Sequence, residues 1–129
     1  MSRLDTIIGT RGEYRVVPPI VCNDGFQISV QASNGHHCHD ATGTNDHYWN
    51  RAKGVPPYRS VECGYPSERP EPWHCTAWHE GFDRHEDHPT CDGWEAYSDD
   101  PDSETGGIFA YVPVQMVRDL IALHGGERP

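Results

Sequence analysis

The sequence predicts a small α+β domain: an antiparallel sheet of about four strands, one C-terminal helix, and a long irregular insertion that a zinc ion could organise. Three observations point there. Phe26 to Ala32 alternates apolar and polar residues, the pattern of a half-buried strand. An apolar stripe at helical spacing closes the chain between a proline and a glycine pair. Between these lies a stretch rich in Pro, Gly, Asp and Glu with no sustained period of either kind. At 129 residues, 35% of them apolar, with thirteen Gly and eleven Pro, the chain makes one domain over 1–129 with a small core. A domain with so few core residues often needs a staple, either disulfides or a metal.

The elements follow in order. Met1 to Thr10 holds a short apolar pair, Ile7 and Ile8, and no signal-peptide core. Tyr14 to Val21 is rich in Val and Ile, but Pro18 and Pro19 limit it to an edge strand. Asn23-Asp24-Gly25 is a tight-turn signal, because these residues tolerate positive φ. With Phe26 to Ala32 it makes a hairpin, Phe26, Ile28, Val30 and Ala32 sharing one face. Asn34 to Pro57 is polar and reads as a long loop. Tyr58 to Tyr65 gives a third strand, with Val61 and Cys63 facing one way.

Pro66 to Gly107 reads as irregular, and loops that long are uncommon inside compact domains unless functional or disordered. Ile108 to Val112 is a fourth strand, Ile108, Ala110 and Val112 alternating with Phe109 and Tyr111. Pro113 suits a first helical position. Val117, Leu120, Ile121 and His124 make a stripe at helical spacing, with Val114 and Leu123 at its margins. Gly125-Gly126 is its left-handed stop.

Charge narrows the function. The formal net charge is −10, and all of it sits between Ser67 and Thr105, where twelve Asp and Glu face only Arg69 and Arg84. Direct nucleic-acid binding through phosphates needs a basic surface and is not expected. A basic partner is possible, although an acidic loop is more often a solvated face. No apolar run is long enough to cross a bilayer, so a cytoplasmic location is expected. Five cysteines there would be thiols or metal ligands, and their odd number argues against full pairing.

The acidic insertion, at about 67–105, also holds most of the candidate ligands. Cys75, His79, His88 and Cys91 form C-x3-H-x8-H-x2-C, a tetrahedral Cys2His2 set for structural zinc, with His74 and His85 as substitutes. Ligation would supply folding free energy to a segment with little apolar reason to fold. Trp73, Trp78 and Trp94 could shield that site or anchor a partner. The bland alternative is a loop with scattered histidines. A second cluster, Gly35-His36-His37-Cys38-His39-Asp40, could lend at most two ligands. Its local alternative has Cys38 in the core and His36 capping a strand end.

His79-Glu80 with Asp83, Glu86 and Asp87 superficially suggests a zinc hydrolase, but H-E-x-x-H is absent. No Gly-x-Ser-x-Gly elbow, phosphate loop or dinucleotide fingerprint occurs, and no residue is assigned a catalytic role.

Several blocks carry a resemblance. Cys22-Asn23-Asp24-Gly25-Phe26, Ser29-Val30-Gln31-Ala32-Ser33, His36 and Cys38, Val61-Glu62-Cys63-Gly64-Tyr65-Pro66-Ser67, Tyr111-Val112-Pro113-Val114 and His124-Gly125-Gly126 resemble a family of small uncharacterised phage and prophage proteins. The blocks touch about half the chain. The resemblance implies a phage or prophage source, host cytoplasm and an accessory role, with no mechanism. The chain departs from the pattern at His37, where a Tyr is usual, and lacks the Pro-Arg that follows the cysteine. A shorter linker is usual before the last strand, so Glu71 to Asp92 looks inserted.

The expectation is therefore a non-enzymatic accessory protein that binds a host or phage protein, as a host-defence antagonist in its sharper form. In the sharpest form a rigid acidic display would mimic nucleic acid. Two alternatives stand beside it. A small zinc-dependent enzyme would keep three protein ligands and a water. A sponge for a signalling nucleotide would need Arg15, Arg51, Lys53 and Arg59 to converge, as they could in a dimer.

Overall fold

The computed structural model describes residues 2–11, 14–42, 45–46, 51–52, 54–74, 93–100 and 103–129. The fold is α+β. A four-stranded antiparallel sheet takes the order β1 (Ile20–Val21), β2 (Gln27–Gln31), β5 (Ser60–Gly64), β6 (Ile108–Pro113). A two-stranded ribbon, β3 (Asn45–Asp46) with β4 (Arg51–Ala52), lies within the long loop expected over Asn34 to Pro57. Helices α1 (Arg3–Gly9) and α2 (Val114–Leu123) stand at the two ends of the chain.

The turn that joins β1 to β2 works as its residues require. Gly25 takes φ +95°, Asp24 accepts the Phe26 amide, and Cys22 donates its amide to the Phe26 carbonyl at 2.8 Å. Only two residues before the turn are strand. Pro18 and Pro19 cannot continue the ladder, and their carbonyls instead accept the Arg3 guanidinium. Gln31 spans the next stretch, accepting the Val17 amide and donating to its carbonyl.

One buried row crosses the sheet: Val30 opposite Cys63, and Cys63 opposite Phe109, with Val61 opposite Val112 beside it. The regular alternation expected for β6 fails. Between the Val61–Val112 and Cys63–Phe109 pairs, Ala110 and Tyr111 together oppose the single residue Glu62. This β-bulge puts Phe109 and Val112 in the core, three residues apart, and leaves Ile108 and Ala110 only half-buried. Tyr111 carries it at φ +57°, a left-handed conformation unusual for a bulky residue.

Helix α2 buries Val117, Leu120 and Ile121, as its spacing predicts, and leaves Leu123 exposed. Pro113 caps it rather than opening it, closing β6 in extended conformation, so the helix begins at Val114. Gly125 and Gly126 at φ +88° and +90° end it. His124 is buried, stacked on Phe26 at 4.0 Å and donating through Nδ1 to Asp24 at 2.7 Å, which locks the helix end to the β1–β2 turn.

Helix α1 was not anticipated. Ser2 caps it by accepting the Asp5 amide, and Leu4 and Ile7, three residues apart, enter the core. Arg118 of α2 reaches Asp5 at 2.6 Å, joining the two helices.

Both outer edges of the sheet are occupied. Glu127 bridges Cys22, and the Arg128 amide donates to Val21 on the β1 side. On the β6 side Ser98 bridges Phe109, the Asp99 amide donates to Ile108, and Tyr111 donates to His37. Such covering removes the unpaired edge that invites strand addition. Among the described residues no helix is long and apolar enough to cross a membrane.

Candidate functional site

The acidic insertion leaves the core and returns to it through a closed neck. The Trp94 amide donates to Pro72 at 2.9 Å and the Glu95 amide to Trp73 at 3.0 Å, so the outgoing and incoming strands of chain are paired there. Trp73 and Trp94 then turn into the core. Both meet Phe109 edge to face, with ring centres 6.1 Å and 5.5 Å away. A single 3-10 turn, Trp94–Tyr97, sets the second tryptophan in place.

Polar contacts reinforce the neck. His74 Nδ1 stands 3.7 Å from Glu95 across it. Arg69 pairs with Glu71 at 2.7 Å and with Glu104 at 3.3 Å, bracing the first and last parts of the acidic segment. Glu71 also accepts the Trp73 amide, and Asp99 accepts the Ile108 amide. Much of the acidity in the described part is therefore engaged in local bonds rather than presented as an even anionic face.

This placement corrects one expectation. Trp73 is 5% exposed and Trp94 fully buried, so neither ring is offered to a partner. Burial of a large aromatic surface in a core this small outweighs any gain from leaving it in water. Trp94 Nε1 has no hydrogen-bond partner among the described residues. The proposed ligands Cys75, His79, His88 and Cys91 lie outside the described residues, as does Trp78. Among the described residues no group of three or more His, Cys, Asp or Glu is arranged to hold a metal.

The second cluster is a compact polar turn after β2. His36 Nδ1 lies 2.7 Å from Ser33 Oγ, His37 Nδ1 donates to Glu62 at 2.8 Å, and His39 Nδ1 lies 3.0 Å from Ser60 Oγ. Each ring is fixed by a partner from the sheet or its margin. The bulged Tyr111 ring packs against two of them, 5.9 Å from His37 and 4.7 Å from His39. Burial holds both His36 and His39 below the ordinary histidine pKa, since desolvation disfavours the charged ring.

Cys38 points inward. Its thiol donates to the Ser33 carbonyl at 3.2 Å, and burial pushes its pKa up to about 11. Cys22 and Cys63 are buried thiols too, both shifted upward by desolvation. None of the three is a thiolate nucleophile at neutral pH. Asp40, fully buried, accepts the Thr42 amide and hydroxyl and the Val55 amide, tying both ends of the β3–β4 excursion together.

Several participants carried no signal in the sequence. Glu62 becomes the partner of His37 only through the β2–β5–β6 register, and Tyr111 reaches the histidines only through the bulge. Arg69 and Glu104 meet across thirty-five positions. No family model, curated protein or solved structure matches the chain.

Proposed function

We propose that this chain is a non-enzymatic accessory protein of phage origin that binds a host or phage protein through its acidic insertion, and in doing so antagonises a host defence. The closed neck at Pro72–Trp73 and Trp94–Glu95 carries the proposal. It delivers the insertion from one point on a core whose own sheet edges are already covered. Residues 75–92 contain five carboxylates, Glu80, Asp83, Glu86, Asp87 and Asp92, against the single Arg84. A partner with a basic face would be attracted at long range and released by salt.

The test is charge removal at constant size. A variant carrying Glu80→Gln, Asp83→Asn, Glu86→Gln and Asp87→Asn is compared with the natural chain for capture of proteins from a host lysate at low and high salt. The natural chain should retain a specific protein at low salt and lose it at high salt, and the variant should fail to retain it at either. Retention by both, insensitive to salt, would contradict the proposal.

Zinc is a second, compatible part of the proposal. In sequence, Cys75 follows the paired residue Trp73 by two positions and Cys91 precedes the paired residue Trp94 by three, so the outer members of the Cys2His2 set lie close to the neck along the chain. A site closed by Cys75, His79, His88 and Cys91 would be structural. The alternative of a small zinc enzyme requires one ligand fewer and a bound water, which a ligand count distinguishes.

A further inference from the structure

Asn34-Gly35 is the one Asn-Gly pair in the sequence, and it forms the tip of the turn that follows β2. The His36 amide donates to the Ser33 carbonyl at 3.3 Å and closes that turn, with Asn34 and Gly35 at its two central positions. Asn34 is exposed, whereas Ser33 on one side of the pair is fully buried and His36 on the other nearly so. An Asn side chain followed by Gly has a reaction open to it, because glycine has no Cβ to shield its amide nitrogen from the preceding carboxamide.

That nitrogen is connected to a base. The Gly35 amide donates to Ser33 Oγ at 3.2 Å, and the same oxygen lies 2.7 Å from His36 Nδ1. Amide, hydroxyl and imidazole thus form one continuous chain. Burial holds His36 below the ordinary histidine pKa, so at neutral pH the ring is uncharged and able to take a proton. Tyr14 holds the ring in place, stacked 5.1 Å away with planes 22° from parallel. Asp24-Gly25 provides the contrast. Its glycine amide donates to the Cys22 carbonyl at 3.0 Å, an acceptor with no base behind it, and the Asp24 carboxylate is held by the Phe26 amide and His124.

We infer that Asn34-Gly35 is a self-modification site, at which the Gly35 nitrogen closes on the Asn34 carboxamide while Ser33 and His36 take up its proton. The amide proton passes to Ser33 Oγ as the hydroxyl proton passes to His36 Nδ1. A bond forms between the Gly35 nitrogen and Asn34 Cγ, and the Cγ–Nδ2 bond breaks. The departing nitrogen takes a proton from solvent and leaves as ammonia, and His36 gives its proton back to solvent. Water then opens the succinimide at either carbonyl, which leaves aspartate or isoaspartate at position 34. Both products add a negative charge to the turn that carries His36, His37 and His39. Isoaspartate also adds a backbone carbon beside Gly35, where even a Cβ would come within 2.3 Å of the Tyr14 ring. The change is one-way, so this surface passes with age from one form to another. It needs nothing from the acidic insertion or from whatever that insertion binds.

Peptide mapping by mass spectrometry tests it, following position 34 of the full chain at neutral pH, folded in buffer and unfolded in urea. The folded chain should gain the mass of one deamidation there at least as fast as the unfolded chain, the relay offsetting the backbone freedom lost on folding. Ser33→Ala and His36→Gln should each slow the folded reaction by about tenfold and leave the rate in urea unchanged. Thermal melts show whether these variants fold, and the comparison of the natural chain with itself in urea needs neither of them. Slower conversion of the folded natural chain than of the unfolded one would overturn the inference. So would a folded Ser33→Ala or His36→Gln chain that reacts within about threefold of the natural rate, or faster, as it would if the bond to Ser33 only protected the amide.

Discussion

At the scale of single residues, the polar groups of this small domain do structural work that an apolar core would do elsewhere. Asp40 is the clearest case: a fully buried carboxylate with amide and hydroxyl donors from both sides of the β3–β4 excursion. Asp40→Ala would leave those donors unpaired in the interior. It should destabilise the chain by about 3 kcal/mol in urea unfolding, with Asp40→Asn costing less because it can still accept. His36 and His39 make a second residue-scale prediction. Their folded pKa values lie below the ordinary 6.5, so the unfolded chain binds protons more readily. Their contribution is complete above about pH 6.5 and is lost as pH falls through the folded values. A further loss begins below about pH 3.8, where Asp24 and Asp5 take up protons in the unfolded chain while the Phe26 amide with His124, and Arg118, keep them ionised in the fold, and it is complete once pH falls through the lower folded values. Unfolding midpoints measured from pH 7.5 to pH 5 should fall in the natural chain and flatten in a His36→Gln, His39→Gln double variant. An equal slope in both would remove these histidines from the acid response.

At the scale of elements, what could be read from sequence was what local pattern dictates. The Asn-Asp-Gly turn, the alternation over Phe26 to Ala32 and the stripe of α2 each reflect a short-range rule, and each stands where the pattern put it. Helix α1 obeyed a local rule as well, with the Ser2 cap and the Leu4 and Ile7 spacing, but seven residues give too short a period to stand out. The β6 alternation failed for another reason: a bulge is a property of two strands, invisible in either alone. The reading of Trp73 and Trp94 as partner anchors failed likewise, because Phe109, the ring both pack on, lies fifteen or more positions away. Of the candidate site, the ligand spacing was legible and the neck was not. If the proposed zinc site exists, its ligands all fall beyond the neck, so loss of the ion should be felt locally. Protein purified without a histidine tag should contain about one zinc per chain. Chelation should expose residues 75–92 to protease before the sheet melts. Zinc-free protein with unchanged protease resistance in chelator would remove zinc as the organiser of that segment.

At the scale of the whole molecule, two parts with different physics share one chain. The core closes its own edges, fastens its helix end through His124 to Asp24, and joins α1 to α2 through Asp5 and Arg118. The insertion carries the excess charge and returns to its point of departure between two buried tryptophans. Because Pro72 and Trp94 are already hydrogen-bonded neighbours, residues 75–92 should be replaceable by a short glycine-serine link that leaves both tryptophans in the core. The measurement that bears most directly on the proposed division is made on that variant: its urea unfolding and its capture of the host or phage protein, each set against the natural chain. The division predicts a single cooperative transition within about 1 kcal/mol of the natural chain, together with loss of the captured protein. Undiminished capture by a folded variant would contradict it.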